Sequence, residues 1–201
     1  MLKIQAFQVG PMLTNCYVVY NELNNFGILI DPGAYDKRIA KFIEDKALGI
    51  NCIVNTHGHY DHIAGNNDFG YPVLIHENDK NCLGNPMLNM SAISGEYVFS
   101  TQPYRLLKEG DIVGVQGLKL KVRHTPGHTS GSITLECEDA LFTGDTLFYE
   151  SVGRTDIPFA SAKDLRESIY KLMAYDDGFR IFPGHGPSST IGHERRNNPF
   201  I

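Results

Sequence analysis

The apolar run Ile50-Asn51-Cys52-Ile53-Val54 leads through Asn55 into Thr56-His57-Gly58-His59-Tyr60-Asp61-His62. No other feature constrains the fold as tightly. An apolar run of that length between polar segments reads as a buried strand, and strand ends are where folds set reactive loops. The loop holds three imidazoles and one carboxylate in six residues, and imidazole is the commonest metal-binding side chain. His57 and His59, two residues apart on a Gly-containing loop, can turn toward one point. Asp61 and His62 can face a second point nearby. The plainer alternative is a polar surface loop with an accidental His cluster.

Further donors, spaced along the chain, argue against accident. Thr125-Pro126-Gly127-His128-Thr129-Ser130-Gly131 sets a His between two Gly residues. Phe142-Thr143-Gly144-Asp145-Thr146-Leu147 puts an Asp just past an apolar strand, and Phe182-Pro183-Gly184-His185-Gly186-Pro187 ends another apolar run. Of the eight His, five (His57, His59, His62, His128 and His185) lie in these corners. Each corner contains Gly, which lets the backbone turn sharply.

This ordered series resembles the metallo-β-lactamase superfamily, and most closely its glyoxalase II-like hydrolases. The resemblance spans nearly the whole chain. It includes Leu29-Ile30-Asp31-Pro32-Gly33, Gly153-Arg154-Thr155-Asp156 and Thr190-Ile191-Gly192-His193-Glu194-Arg195. It implies an α/β chain folded as one αββα four-layer sandwich over residues 1–201, with a metal site at one edge between the sheets. By the same resemblance His57, His59 and His128 would hold one metal, Asp61, His62 and His185 a second, and Asp145 would bridge them. Flavodiiron proteins carry Glu where this chain has His59, which disfavours that branch.

The implied activity is thioester hydrolysis, on substrates like S-lactoylglutathione, by a hydroxide at a binuclear centre. Metal coordination lowers the pKa of water from about 15.7 toward about 7. Asp145 suits a bridge because a carboxylate has two oxygens. Asp61 is a candidate to orient the attacking water or accept its proton. The two cofactor ions fit zinc best on ligand softness, and imidazole and carboxylate also suit iron and manganese. Asp31 would support the His loop; its residue context alone also allows a simple turn carboxylate. Arg154 falls where the related hydrolases place a basic residue near the substrate, and the alternative is an Arg154–Asp156 pair holding a loop. His76, His124 and His193 have no ligand context and read as structural or solvated.

The resemblance has a gap. Full glyoxalase II enzymes carry a helical extension that forms much of the glutathione pocket, whereas 16 residues follow His185 here. A Tyr that contacts glutathione in those enzymes would fall at Asp156. The tail is similar to that of compact bacterial glyoxalase II-like proteins. One rival function is a persulfide dioxygenase with a single iron on His57, His128 and Asp145; another is a non-catalytic metal-binding domain.

Composition bounds the remaining classes. At 201 residues the chain is long enough for a substantial core. A net charge of −5 without a basic stripe disfavours nucleic acid and membrane surfaces as partners, and a small-molecule thioester is the expected partner. No apolar stretch approaches the roughly 20 residues that span a bilayer. The N-terminus lacks a continuous apolar segment and a cleavage signal, so the chain reads as cytoplasmic. An exported β-lactamase is disfavoured on that ground. Cys16, Cys52, Cys82 and Cys137 are widely spaced, which predicts reduced thiols rather than disulfides or a zinc ribbon.

Hydrophobic periodicity predicts strands at Ile4–Val9, Cys16–Tyr20, Gly27–Ile30, Ile50–Val54, Val73–Ile75, Ile112–Val115, Leu118–Val122, Ser132–Leu135, Ala140–Phe142 and Arg180–Phe182. Ile39, Phe42, Ile43 and Ala47 predict a helix over 36–48, and a short helix is expected near 62–69. Ser161-Ala162-Lys163-Asp164 reads as a helix start, with Leu165, Ile169, Leu172 and Met173 on one face. Residues 77–108 show no clear period. Asn85–Ser91 reads as a loop, either a lid or a surface excursion, with the excursion preferred.

Overall fold

The computed structural model describes residues 1–102 and 104–201. Three antiparallel strands open the chain: β1 (Leu2–Val9), β2 (Thr14–Asn21) and β3 (Phe26–Ile30). The α1 helix (Lys37–Asp45) then crosses to β4 (Gly49–Val54), which lies parallel to β3. Asp36 caps α1, its carboxylate accepting from the Arg38 N–H at 2.8 Å. The helix ends before the expected residue 48, because Ala47 turns left-handed at φ 48° and the Leu48 N–H returns to the Ile43 carbonyl.

The segment expected as one helix near 62–69 is two short ones, α2 (Tyr60–Ile63) and α3 (Asn66–Phe69). Gly65 separates them, donating its N–H to the Pro32 carbonyl at 2.7 Å. β5 (Val73–His76), a 3₁₀ helix (Glu77–Gly84) and β6 (Tyr104–Leu107) complete a sheet of order β1-β2-β3-β4-β5-β6.

The second half supplies β7 (Ile112–Val115), β8 (Leu118–His124), β9 (Ile133–Cys137) and β10 (Ala140–Gly144). A small hairpin follows, β11 (Leu147–Phe148) and β12 (Ser151–Val152). Next come α4 (Ala162–Leu172), β13 (Arg180–Pro183), β14 (Ser189–Thr190) and α5 (Ile191–Asn197). Ser161 caps α4 as its sequence predicts, accepting from the Asp164 N–H. The second sheet has order β14-β13-β10-β9-β8-β7.

Three apolar clusters separate four layers. Between the sheets, Tyr17, Val19, Ile28 and Val54 pack on Leu120, Leu135, Ala140 and Phe142. The outer face of the first sheet buries Leu29, Ile53 and Ile75 against Ile39 and Ile43 of α1. The outer face of the second buries Leu141 and Ile181 against Leu172 of α4 and Ile191 of α5. Strand β3, and β4 over Cys52–Val54, are therefore covered on both faces, which is why those stretches read as continuous apolar runs rather than alternating ones. The architecture is the expected αββα sandwich. Its cysteines are all free, and among the described residues no helix is long and apolar enough to cross a membrane.

Candidate metal centre

Every sequence-predicted donor sits just past the end of a strand, and all come to one edge of the sandwich. β4 delivers His57 to His62; the β8–β9 loop delivers His128; β10 leads to Asp145; β13 leads to His185. Their ligand atoms form three overlapping groups, each within 4.8 Å: His57–His59–His128, His57–His62–Asp145 and Asp61–His62–His185. The first and third are the two ligand sets expected from the sequence. Asp145 stands between them, 3.5 Å from His128 Nε2, 3.4 Å from His62 Nε2 and 3.6 Å from His185 Nε2.

The rings are oriented from behind. His62 Nδ1 donates to Asp31 Oδ2 at 3.0 Å, His128 Nδ1 to the Arg154 carbonyl at 3.0 Å and His185 Nδ1 to the Met12 carbonyl at 3.2 Å. The Thr56 hydroxyl donates to Asp31 Oδ2, so it accepts from His57 Nδ1 at 3.2 Å. These acceptors place a proton on Nδ1 in each case, so Nε2 is the atom turned inward to meet a metal. His59 turns its Nδ1 inward instead, 2.8 Å from His128 Nε2 and 3.1 Å from His57 Nε2.

These inward atoms fit metal ions. His62 Nε2 and Asp145 Oδ1 are buried and have no hydrogen-bond partner. Buried polar atoms rarely stay unpaired, and a cation between them resolves both. A Cβ at Gly184 would collide with Asp145 Oδ1 and stand 2.8 Å from His62 Cε1. Only glycine leaves that space open.

The imidazoles divide electrostatically. Burial, reinforced by the neighbouring imidazoles, pushes His57 well below the ordinary histidine range and His59 down to about 3. His62 is equally buried, which alone would lower it. The carboxylates of Asp61, Asp145 and Asp31 outweigh that and raise it to about 10. Burial would raise Asp61, yet His62 and His185 together hold its carboxyl below the usual range.

Asp31 acts as the structural brace of the His loop. It is 1% exposed and accepts from the Thr56 N–H at 2.7 Å, the Thr56 hydroxyl at 2.6 Å and His62. Its φ of 49° lies in the left-handed region, which Asp tolerates better than most residues. Arg154 makes the salt bridge named as its alternative, with Nε 2.8 Å from Asp156 Oδ1, while also lining the pocket over the donors. His76 and His124 stack at 4.0 Å away from the donors, and His193 pairs with Glu150 at 2.9 Å.

Sequence reasoning missed Asp79. It is 1% exposed and accepts from the Gly58 N–H at 2.8 Å, the Thr129 hydroxyl at 2.7 Å and the Gly131 N–H at 2.7 Å. It thus ties the His57–His59 loop to the His128 loop. Nothing in its local sequence, Glu77-Asn78-Asp79-Lys80, distinguishes it from a surface carboxylate. The preference for a surface excursion at Asn85–Ser91 is also corrected. Met90, Ile93 and Ser94 line the pocket above the donors, because the Asn89 carbonyl accepts from the Tyr60 N–H at 2.9 Å and pins the segment there. Pro103, within 77–108, lies outside the described residues.

Residues 9–185 match the family described as the Metallo-beta-lactamase superfamily. A crystal structure of BLEG-1 B3 metallo-beta-lactamase is similar at a TM-score of 0.92 and 32% identity, over 98% of this chain and 99% of that one. TTHA1623 in a di-iron-bound form is similar at a TM-score of 0.85 and 31% identity, over 98% and 100%. Hydroxyacylglutathione hydrolase GloC of Haemophilus influenzae is 33% identical, over 100% of this chain and 98% of its own length.

Proposed function

Because this chain belongs to the metallo-beta-lactamase superfamily, we propose that it is a metal-dependent hydrolase of thioesters, glyoxalase II-like in its chemistry. The observation that carries the reading is the pair of donor groups, His57–His59–His128 and Asp61–His62–His185, with Asp145 within 3.6 Å of both. Similarity across the full chain to a hydroxyacylglutathione hydrolase supports the thioester as substrate.

Each triad would hold one divalent ion, with Asp145 shared. Imidazole and carboxylate serve zinc, iron and manganese alike, and the similar di-iron structure makes iron as suitable as zinc. Bound ions would supply a nucleophile at neutral pH and an electrophile for the carbonyl oxygen. The protein supplies the rest. Asp31, Thr56 and the Arg154 and Met12 carbonyls hold the rings in one tautomer and one orientation. Asp61 serves first as a donor, since a carboxyl held so low is a weak base. In the net reaction water oxygen bonds to the acyl carbon and the C–S bond breaks. The sulfur leaves with the electron pair, and protons from the water end on the thiol and in solvent.

A paired assay tests this. Acyl thioesters should turn over without oxygen and stop when a chelator is added. Stoichiometric oxygen uptake with glutathione persulfide and inert thioesters would replace the reading with an iron dioxygenase. Opening of a β-lactam ring with inert thioesters would replace it with the activity named for the BLEG-1 protein.

A further inference from the structure

We propose that the substrate is an uncharged thioester with an apolar acyl chain, and that Met90 and Ile93 set this selectivity; the proposal rests on the thioester-hydrolase reading above. The cavity over the donors measures about 490 Å³, within the range of small-molecule sites. Its floor is the donor set. Its apolar walls are Met12 from the β1–β2 turn, Met90 and Ile93 from the segment after the 3₁₀ helix, Phe148 and Val152 from the small hairpin, and Ile157, with Tyr60 and Ser94 as the neutral polar members of the lining. The apolar side chains come from four separate stretches of chain, so the apolar lining is a property of the assembled pocket.

The rim is apolar as well. Ile93 is 65% exposed and Met12 53%. Apolar side chains from different loops that gather in solvent around a pocket mark a binding surface. An acyl chain passing between them removes that area from water.

Charge points the same way. Among the described residues lining the cavity, Arg154 is the sole Lys or Arg. Its guanidinium is already paired through Nε and Nη2 with Asp156, at 2.8 and 3.0 Å. A thiol with two carboxylates, such as glutathione, meets one cation, already paired with Asp156, and a hydroxyl next to the acyl carbonyl meets mostly hydrocarbon. Burying a polar group without a partner is unfavourable. A neutral alkyl chain has no such cost.

The test crosses two acyl groups, lactoyl and hexanoyl, with two thiols, glutathione and the uncharged N-acetylcysteamine, using metal-loaded protein and a chelated blank. Extra methylenes in an apolar pocket are worth about tenfold or more in kcat/KM. Hexanoyl should exceed lactoyl by at least about tenfold on both thiols, and glutathione should gain no more than about threefold over N-acetylcysteamine. Lactoyl equal to or better than hexanoyl, or a glutathione preference above about tenfold, overturns the proposal. No turnover of any of the four refutes the thioester reading itself. Ile93 is too exposed for its replacement to tax folding. Ile93→Asn should pull the hexanoyl-to-lactoyl ratio toward one, and Ile93→Leu should keep it. An unchanged ratio in Ile93→Asn overturns the role given to that wall.

Discussion

At the scale of single residues, two buried carboxylates divide the support of the site. Asp31 braces Thr56 and His62, whereas Asp79 joins the loops that carry His57, His59 and His128. Asp79→Asn keeps the volume but turns one acceptor into a donor facing other donors. A buried unsatisfied polar group costs about 1–3 kcal/mol, so urea unfolding should show a loss of that size. Metal titration should show weaker binding at the His57–His59–His128 group than at the other. Equal weakening at both groups, or none, would count against the division.

Proton bookkeeping gives a second residue-level prediction. At pH 7 His57 and His59 are neutral, their protonation having been pushed far below that pH. His62, raised to about 10, is protonated. A metal ligand must shed its proton, so filling the Asp61–His62–His185 group should release at least about one proton and filling the other close to none. Apparent affinity at that group should climb with pH until about 10, where the metal-free His62 loses its proton unaided. Calorimetry in buffers of different ionisation enthalpy measures the release; equal release in both steps would refute the assignment.

At the scale of elements, legibility followed the kind of bond that shapes each segment. Strands such as β7 and β10, and helix α4 with its Ser161 cap, announce themselves because apolar burial repeats along them. The donor corners were legible for a different reason: rare residue types recur beside glycine. Residues 85–98 had neither signal. Their shape comes from buried Asn89, whose amide donates to the carbonyls of Cys82 and Val98 at 2.9 Å and accepts from the Ser91 N–H at 3.0 Å. Side-chain-to-backbone bonds of that sort have no period and look in sequence like any polar loop. Asn89→Ala should therefore speed amide hydrogen exchange across 86–98 while leaving β4 and β10 protected. Uniform loss of protection would show that Asn89 supports the whole core instead.

At the scale of the molecule, the site straddles two sheets. The first sheet gives His57, His59, Asp61 and His62; the second gives His128, Asp145 and His185. The first sheet also grips the His185 loop directly, through Asn15 to the Pro183 and Gly186 carbonyls at 3.0 and 2.8 Å and the Tyr17 hydroxyl to Pro183 at 2.6 Å. Ions held from both sides would bind the folded chain and not the unfolded one. At a hundredfold excess over the dissociation constant such binding adds about 2.7 kcal/mol, roughly 5–10 °C in Tm for a chain of this size. Chelation should lower Tm by that amount, and readdition of zinc or iron should restore it. A Tm indifferent to chelator would mean that the donors hold no ion across the seam.

The same straddling has a consequence during synthesis. Domains generally fold from the N-terminus as the ribosome extends the chain. A nascent chain released as far as Leu107 has its first sheet and four of the donors. Neither donor triad is complete at that point: one waits for His128 and the other for His185, the last to emerge. Ion capture would therefore wait until His185 has emerged, and a filled site would report that both halves have docked.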